Sequence, residues 1–509
     1  MAWSRNCGRT FWLLFPFIFF GAFQLVLLYL FGQSIIAVDM FLNLVTTNSS
    51  EALELLDNLI PAIVIVVVLY IPALILATIS IVHKRRLSEA FIRQARRRTL
   101  YVLSAGILSL GSAYLTDDRY ELKSELYPAN VCYNIALAFQ RTAQTRNYHK
   151  TSKDFTFHAR STHQADEREV YVMVVGETSR ACNWALYGYE RETNPGLSGI
   201  GGLTAFSHVL TESNTTHKSV PMLLSPVSAS SFDSIYYQKG IITAFKEAGY
   251  QTAFFSNQRY NHSFIDFFGK EADTYDFIKE DVGDSNYNPS DDKLLKLVAK
   301  ELGKGVSRQF IVLHTYGSHF NYKERYPAEQ AFFLPDMPVD AEVKYKDNLI
   351  NAYDNSIRYT DNFLVRLIDM LQKQHVNSAL IYTSDHGEDI FDDNRHLFLH
   401  ASPVPSYYQI HVPFFIWMSD NYRQRYPSLL EAAQANRQKN VSSSASFFQT
   451  MLEIGGVETP YRNDSLSVTS ALFIERPRVY LNDHNEARTL DDVGMLKEDF
   501  KMLEEKGIR

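Results

Sequence analysis

Residues 381–389 read IYTSDHGED, an aliphatic run that turns abruptly into polar residues at Ser384. The run begins at Ala379, and short apolar, β-branched or aromatic stretches are typical of strands covered on both faces of a parallel sheet. Asp385 and His386 follow at the predicted strand end. A carboxylate beside an imidazole is more than a surface turn requires, and both are good ligands for zinc or manganese. The stretch therefore predicts a buried strand that ends in a functional site.

Similar apolar runs recur along the chain and alternate with amphipathic stretches. One predicted helix covers residues 241–248 and is ended by Gly249, and a longer one covers residues 349–371. This alternation predicts an α/β domain whose central, mostly parallel sheet is flanked by helices. The other predicted strands are 170–175, 251–255, 310–314 and 412–417.

Polar residues follow several of these strands at the point where each strand ends. Glu177 comes after strand 170–175, and His319 comes after strand 310–314. Since ligands of open α/β sheets bind beyond the carboxyl ends of the strands, these residues should meet Asp385 and His386 at one edge. Alone, Glu177 could cap a helix and His319 could serve a turn. The combination predicts a metal site.

A metal held by such ligands suits hydrolysis or group transfer at phosphorus or sulfur, and that chemistry also needs a nucleophile. Thr178 and Ser179 are candidates, as is the hydroxyl-rich run 211–219 (TESNTTHKS). The run is favoured because it leads into a predicted helix N-terminus, where backbone N–H groups attract an anion. The residue pattern alone does not indicate which hydroxyl of this run is the nucleophile. His396 and His400 have the spacing of one helix face, although a loop follows His400.

Three uncharged apolar segments, 10–32, 59–82 and 99–116, lie near the N-terminus. The first two have the roughly 20 residues needed to cross a bilayer, whereas the third is shorter and could instead be a buried helix. The first is too long for a signal peptide and lacks a small-residue cleavage site. Basic clusters at 83–86 and 96–98 predict a cytoplasmic loop, so the chain after about residue 117 should lie across the membrane.

The predicted organisation is a membrane domain over residues 1–117, a linker over 118–167, a catalytic domain over 168–485 and a charged tail over 486–509. The net charge is −7, and basic residues form no long stripe outside the N-terminal region, which argues against a nucleic-acid partner. The three cysteines show no CxxC or CxxxC spacing, which argues against a thiolate zinc site and a disulfide scaffold.

Four ordered motifs carry a resemblance to a known family: VVGETSRACNWALYGYERETNP, SNTTHKSVPM, LHTYGSHFNYKERYP and YTSDHGEDIFDDNRHLFLHASP. Together they resemble the phosphoethanolamine transferases of Gram-negative inner membranes, in the alkaline phosphatase and sulfatase superfamily. The resemblance covers residues from about 38 to 480. It implies a multi-pass inner-membrane protein, a periplasmic sulfatase-like catalytic domain, one or two zinc ions with manganese as the lesser alternative, and a monomer.

The resemblance also assigns site residues. The nucleophilic threonine of the family stands three residues before SVP, which is Thr216 here, and it is also a metal ligand. The remaining implied zinc ligands are Glu177, Asp385 and His386. The counterparts of histidines that handle the phosphoethanolamine group or a second zinc are His319 and His400. A gapless comparison places His262 where the family has a substrate-site lysine.

On the membrane side, residues 38–57 form a predicted periplasmic interfacial segment. Asn43, Thr47 and Glu51 occupy the positions of a substrate-side motif of the family. The alternative interpretation is a capping box, Asn48 with Glu51, at the start of an amphipathic interfacial helix. Both interpretations are compatible, because such a helix would lie where a lipid head group is delivered.

Two departures from the family pattern stand out. Members usually have five spans, and this sequence shows only the counterparts of the last three. Many members also flank the nucleophile with a disulfide, whereas Glu212 and Met222 occupy the corresponding positions here. Rigidity around Thr216 must therefore come from packing.

The implied function is transfer of phosphoethanolamine from phosphatidylethanolamine to lipid A phosphate through a phosphoethanolamine-threonine intermediate. Alternatives are a different glycan or core-sugar acceptor, and a phosphoglycerol transferase that uses phosphatidylglycerol and manganese. A sulfatase is disfavoured because no C/S-x-P-x-R run is present. An inactive envelope-assembly or sensor module is disfavoured because Glu177, Thr216, Asp385 and His386 are all retained.

Overall fold

The computed structural model describes residues 4–31, 38, 49–117, 120–164, 168–280 and 288–508. The chain divides into two compact units. One comprises residues 1–42 and 51–140, and the other comprises residues 43–50 and 141–509.

The first unit is helical. Ser88 caps one of its helices, since the Ser88 hydroxyl accepts a hydrogen bond from the Phe91 N–H at 3.2 Å. Many large apolar side chains in this unit are exposed, with Leu108 at 75% and Leu115 at 87%. The helices are α1 (Cys7–Phe31), α2 (Ser49–Val82), α3 (Glu89–Thr116), α4 (Leu122–Glu125) and α5 (Ala129–Thr151), the last extending into the second unit's residue range.

Two of these helical segments, Val64–Val82 and Glu89–Thr116, are long and apolar enough to cross a membrane, within the residues that the structure describes. They coincide with the predicted spans 59–82 and 99–116, and α1 coincides with the predicted span 10–32. No residue in the most apolar stretch of helix α3 is buried. The alternative interpretation of residues 99–116 as a buried helix is therefore wrong.

A seven-stranded sheet forms the centre of the second unit, among the described residues, in the order β3-β11-β8-β2-β7-β5-β6. Four short two-stranded sheets pair β1 with β13, β4 with β12, β9 with β10 and β14 with β15. The strands are β1 (Arg160–Ser161), β2 (Glu169–Gly176), β3 (Leu203–Phe206), β4 (Val209–Leu210), β5 (Gln251–Ser256), β6 (Thr274–Phe277), β7 (Arg308–His314), β8 (Asn377–Ser384), β9 (Asp389–Ile390), β10 (Phe398–Leu399), β11 (Phe414–Met418), β12 (Val441–Ser442), β13 (Val457–Glu458), β14 (Val479–Leu481) and β15 (Ala487–Thr489).

Helices cover both faces of this sheet, as the alternating sequence pattern predicts. They are α6 (Thr216–Leu223), α7 (Ile241–Glu247), α8 (Phe264–Gly269), α9 (Asp292–Leu302), α10 (Lys346–Gln372), α11 (Tyr407–Ile410), α12 (Asp420–Arg425), α13 (Pro427–Asn436), α14 (Ser443–Ile454) and α15 (Lys497–Glu505).

The predicted strands and the two predicted helices are all present, the helices as α7 and α10. Strands β2, β5, β6, β7 and β8 run parallel, while β11 pairs antiparallel with β8 and with β3. The prediction of a mostly parallel sheet is therefore confirmed. An apolar run does not reveal strand direction, which is why the antiparallel edge was not predicted.

Strand β2 shows why its sequence is continuously apolar. All eight of its residues are buried. Odd-numbered side chains from 171 to 175 pack into one apolar cluster, and even-numbered side chains from 170 to 174 pack into another on the opposite face. Burying each such aliphatic side chain contributes on the order of 2 kcal/mol, so both faces of the central strand stabilise the domain.

The register of the central strands brings the polar strand ends together. Gly176 of β2 lies opposite Ser384 of β8, so the next residues, Glu177 and Asp385, leave the sheet at the same level. The Asp385 N–H donates to the Gly176 carbonyl at 3.1 Å and extends the ladder by one bond. On the other side of β2, Val175 lies opposite His314 of β7.

The C-terminal segment, predicted as a charged tail over 486–509, is packed against the domain. Leu503 of α15 is fully buried. Arg395 binds both carboxylate oxygens of Asp499, at 2.6 and 2.9 Å, and this bidentate pair fixes the helix in place.

Candidate metal centre

Glu177, Asp385 and His386 form a compact buried cluster at the carboxyl edge of the sheet. All three are fully buried, and one ligand atom from each lies within 4.8 Å of the others. The His386 Nε2 atom is 3.2 Å from Asp385 Oδ2 and 3.6 Å from Glu177 Oε1. The structure thus brings together the three metal-ligating residues that the sequence analysis singled out.

The backbone fixes the orientation of the Asp385 carboxylate. Its Oδ1 atom accepts hydrogen bonds from the N–H of Thr178 at 3.0 Å and from its neighbour His386 at 2.7 Å. Because Oδ1 is engaged, Oδ2 is the oxygen that remains on the side of the imidazole.

A single hydrogen bond sets the tautomer of His386. Its Nδ1 atom is 2.9 Å from the Gly387 carbonyl oxygen, which can only accept. Nδ1 therefore carries the proton, and Nε2 has its lone pair directed at the two carboxylates. A neutral imidazole fixed in this way is the form that ligates a metal.

Thr216 is the first residue of α6, and its hydroxyl lies inside the cluster. The Oγ1 atom is 3.1 Å from His386 Nε2 and donates to Glu177 Oε1 at 3.2 Å. By contrast, the Thr178 hydroxyl touches Glu177 alone among the three cluster residues, at 2.7 Å. Other hydroxyls of the run 211–219 bond as follows: Thr211 to the Asp385 carbonyl (2.8 Å), Ser213 to Thr215 (3.2 Å), and Ser219 to the Thr215 carbonyl (2.9 Å) and Asp385 Oδ2 (3.4 Å).

The electrostatics of the cluster are those of a cation site. Burial, and then the neighbouring Asp385, raise the pKa of Glu177 well above its usual range. Burial raises the pKa of Asp385 to about 7 and lowers the pKa of His386 to about 4. Two carboxylates held close together in a buried place are stabilised as anions by a cation between them, so the donor set fits a divalent metal.

A second ring of polar residues supports Glu177. The Gln258 amide donates to Glu177 Oε2 at 2.8 Å and lies 3.1 Å from His314 Nε2. Both residues stand at or just beyond the ends of sheet strands, β5 and β7. Neither residue is among the predicted site residues, although both follow the rule that polar residues at strand ends can reach the site.

His400 lies directly beside the cluster, and His319 lies one ring further away. The ring centroids of His400 and His386 are 4.2 Å apart, and those of His319 and His400 are 6.1 Å apart. Burial lowers the pKa of both His319 and His400, so both imidazoles are neutral near pH 7. The suggestion that His396 and His400 share a helix face is wrong, because β10 lies between them and His396 has a φ of 53°.

Gly317 makes the approach of the His319 loop possible. Its φ is +51°, and a Cβ atom there would lie 2.6 Å from the Glu177 carbonyl oxygen. Glycine is required at such a position. The loop then closes on β2, where the Ser318 N–H donates to that same carbonyl at 3.0 Å.

The structure does not bring every predicted substrate-side residue to the cluster. His262 is exposed, and its ring contacts Tyr260 at a centroid distance of 4.4 Å, with no contact to the cluster recorded among the described residues. Asn43 and Thr47 lie outside the described residues. Glu51 belongs to helix α2, and its side chain also lies outside the described part of the chain.

The sequence matches the models of two known protein families. The sequence model of the family named Sulfatase matches residues 169–457, more than half of the chain. This chain belongs to the sulfatase family. A second model, described as phosphoethanolamine transferase EptA/EptB, matches residues 13–143. The resemblance to phosphoethanolamine transferases that the four sequence motifs carry is thus supported by the family models at both ends of the chain.

Two curated relatives illustrate the resemblance. Phosphoethanolamine transferase EptA of Salmonella typhimurium is 30% identical over 319 residues, which cover 58% of this chain and 55% of that protein. Kdo(2)-lipid A phosphoethanolamine 7''-transferase of Escherichia coli is 30% identical over 299 residues, which cover 57% and 51%. The chain thus spans about half the length of the curated relatives it matches.

Two solved structures share the fold. The integral membrane lipooligosaccharide phosphoethanolamine transferase A of Neisseria meningitidis has a TM-score of 0.70 at 23% identity, covering 87% of this chain and 83% of that one. The C-terminal periplasmic domain of Escherichia coli EptC, solved in complex with Zn, has a TM-score of 0.61 at 23% identity, covering 67% and 97%. The two helical segments that are long and apolar enough to cross a membrane agree with the predicted integral membrane protein.

Replacing Gln258 by leucine is expected to weaken metal binding by about 10-fold or more, because outer-sphere partners that orient a ligand typically contribute that much. The variant removes the amide that fixes Glu177 Oε2 and leaves all three cluster residues in place. Competition with a chromophoric zinc chelator measures the affinity. Unchanged affinity with unchanged thermal stability would show that Glu177 needs no such support.

Proposed function

We propose that the chain transfers phosphoethanolamine from phosphatidylethanolamine to an acceptor in the bacterial envelope, with lipid A phosphate as the acceptor. The reaction proceeds by double displacement through a phosphoethanolamine ester of Thr216. A chain with membrane-spanning helices suits this reaction, because donor and acceptor are both lipids.

One observation carries the proposal: the Thr216 hydroxyl sits inside the acidic cluster, within 3.2 Å of both Glu177 Oε1 and His386 Nε2. A threonine hydroxyl is a weak nucleophile unless its neighbours favour the alkoxide. Thr216 is also the first residue of α6, where the positive end of the helix dipole favours anionic oxygens.

The cluster fits zinc, with Glu177, Asp385 and His386 as ligands and Thr216 as the fourth. Two carboxylates, a neutral imidazole and a hydroxyl form an oxygen- and nitrogen-rich donor set, and the fixed His386 tautomer suits a metal ligand. When bound, zinc would lower the pKa of the Thr216 hydroxyl and offset phosphoryl charge. One ion is the simplest assignment, and the neighbouring His319 and His400 are the candidates for holding a second.

In each step of the proposed reaction, one bond to phosphorus forms and another breaks. Thr216 Oγ1 attacks the phosphorus of phosphatidylethanolamine, and the bond from phosphorus to the glycerol oxygen breaks. Diacylglycerol leaves with a proton, and Thr216 keeps the phosphoethanolamine group. An acceptor phosphate oxygen then attacks the same phosphorus, the bond from phosphorus to Thr216 Oγ1 breaks, and the Thr216 hydroxyl recovers the proton that the acceptor phosphate gives up. His319 and His400 lie beside the cluster, where they can hydrogen-bond the phosphoethanolamine group.

The Kdo(2)-lipid A transferase relative supports a second acceptor class, a sugar of the lipopolysaccharide core. Its identity to this chain equals that of the EptA relative, 30% in both cases. A phosphoglycerol transferase would use the same threonine. It differs in its lipid donor, which is phosphatidylglycerol instead of phosphatidylethanolamine.

Expression in a host with unmodified lipid A, followed by mass spectrometry of the lipid A and core fractions, tests the proposal. We expect one added phosphoethanolamine group on lipid A. The same group on a core sugar would favour the second acceptor, and a phosphoglycerol group would favour the other donor. No added group on any envelope glycan would contradict the proposal.

Zinc affinity is expected to fall as the pH drops, because burial raises the pKa of both metal-free carboxyls, that of Glu177 well above its usual range and that of Asp385 to about 7. The raised pKa means that each metal-free carboxyl holds a proton below its own pKa, and zinc must displace it. Each displaced proton weakens binding by about tenfold per pH unit. His386, with a pKa of about 4, adds no competition in this range. Chelator competition over a pH series that spans the Asp385 pKa measures the slope. A flat profile would contradict this assignment.

A further inference from the structure

The pairing of β9 with β10 places a second buried carboxylate opposite His400. In this antiparallel pair, Asp389 lies opposite Leu399. The next pair in the same register is Glu388 with His400. Each strand has only two residues, which is too short for a periodic sequence pattern to predict this pairing. Its consequence is a contact between Glu388 Oε2 and His400 Nδ1 at 3.4 Å.

The surroundings of Glu388 make His400 its main partner. Glu388 is fully buried, and burial raises the pKa of its carboxyl, while His400 first and the Tyr322 side chain next oppose that rise. The nearby Arg180 guanidinium is engaged elsewhere, since Nη1 donates to the Glu388 backbone carbonyl at 3.1 Å and to Asp392 Oδ2 at 2.7 Å. A buried carboxylate requires a hydrogen-bond donor, and the His400 N–H supplies it.

This hydrogen bond determines which nitrogen of His400 is available to substrate. A carboxylate that accepts from Nδ1 fixes the proton on that nitrogen, as carboxylate–histidine pairs do in metal and catalytic sites. The Nε2 atom on the other side of the ring keeps its lone pair. The ring itself lies 4.2 Å from that of His386, beside the cluster where the reaction takes place.

We propose that Glu388 is a positioning residue, which holds His400 in the Nδ1–H tautomer so that Nε2 faces the substrate as a hydrogen-bond acceptor. Its ligand is then an N–H or O–H group of the substrate, such as the ammonium of the phosphoethanolamine group. This inference rests on the proposed function for its kinetic consequence. The tautomer of His400 is inferred from its contact with Glu388 and does not depend on the proposed function.

Nitrogen-15 spectra of histidine-labelled full-length protein test the tautomer without reference to activity. The His400 signal is identified by its absence in His400→Ala. We expect the Nδ1–H tautomer in the unmodified protein and a mixture in Glu388→Leu. An Nε2–H tautomer in the unmodified protein would overturn the inference, and this outcome needs no variant of Glu388 to fold.

A double-mutant cycle on the full chain tests the kinetic consequence. Glu388→Leu is expected to lower kcat by about 10-fold or more, with zinc content unchanged. Combining it with His400→Ala should lower kcat no further than His400→Ala alone, because one residue acts through the other. Glu388→Gln keeps an acceptor oxygen and should restore most of the rate. Additive losses, or no rescue by glutamine, would overturn the inference.

The neighbouring carboxylate supplies the matched control. Asp389 bonds to Ser406 Oγ at 2.7 Å and Gln409 Nε2 at 2.7 Å, away from His400. Any loss in Asp389→Asn should therefore be additive with that of His400→Ala. An inactive unmodified protein with the Nδ1–H tautomer would contradict the proposed function and leave the positioning role standing.

Discussion

Replacing Thr216 by alanine is expected to abolish phosphoethanolamine transfer, with a loss of at least about 10³-fold, because removing a covalent nucleophile eliminates the double-displacement route. The hydroxyl contacts Glu177 Oε1 and His386 Nε2. Since Thr216 is the first residue of α6, alanine is also compatible with the local backbone. Mass spectrometry of envelope lipids measures the transfer.

The adjacent threonine provides the control for this variant. The Thr215 hydroxyl lies 3.2 Å from that of Ser213, and no contact with the three cluster residues is recorded for it among the described residues. Thr215→Ala should therefore retain most of the transfer, while Thr216→Ala loses it. Equal losses in both variants would mean that the loop, rather than the Thr216 oxygen, is what the reaction requires.

Replacing Glu177 by glutamine is expected to remove bound zinc and transfer activity together. Loss of an anionic ligand from a site with two carboxylates should weaken zinc binding by more than about 100-fold, since even the outer-sphere partners of metal ligands contribute 10- to 100-fold. Metal analysis of the purified full chain measures the zinc content. Full zinc occupancy in this variant would show that Glu177 is not a ligand.

A second buried glutamate, at the start of the strand that Glu177 follows, controls for lost stability. Glu169 stands at the other end of β2, roughly 26 Å from Glu177 at the usual rise per residue. There it binds His163 Nδ1 at 2.7 Å and Arg308 Nε at 2.9 Å. Glu169→Gln should lower thermal stability and retain zinc. Loss of zinc from this variant would show that the metal content reports folding.

The sequence predicts the centre of the fold and the cluster well because both depend on local signals. A fully buried strand requires a continuous apolar run, and a strand end that binds a ligand requires polar residues immediately after the run. Glu177 and Asp385 meet both conditions, and the β2–β8 register then brings them together. The choice of Thr216 among the hydroxyls of its run came from the family resemblance.

The rest of the site depends on contacts between distant parts of the chain. The pairing of Glu388 with His400 comes from two strands of two residues each, which have no periodic pattern. Gln258 is a neutral amide, a residue type common in loops, and its contact with Glu177 appears only when β5 and β2 are placed in one sheet. The antiparallel direction of β11 likewise depends on how the chain between β8 and β11 folds back, which the apolar run itself does not reveal.

Peptide mapping by mass spectrometry detects the proposed covalent intermediate on Thr216. The full chain is incubated with phosphatidylethanolamine in the absence of acceptor, digested and compared with Thr216→Ala. We expect one phosphoethanolamine group on the peptide that contains Thr216, and we expect it to disappear when acceptor lipid is added. Transfer to lipid A by Thr216→Ala, or an adduct on another residue that is passed on to acceptor, would contradict the proposed intermediate.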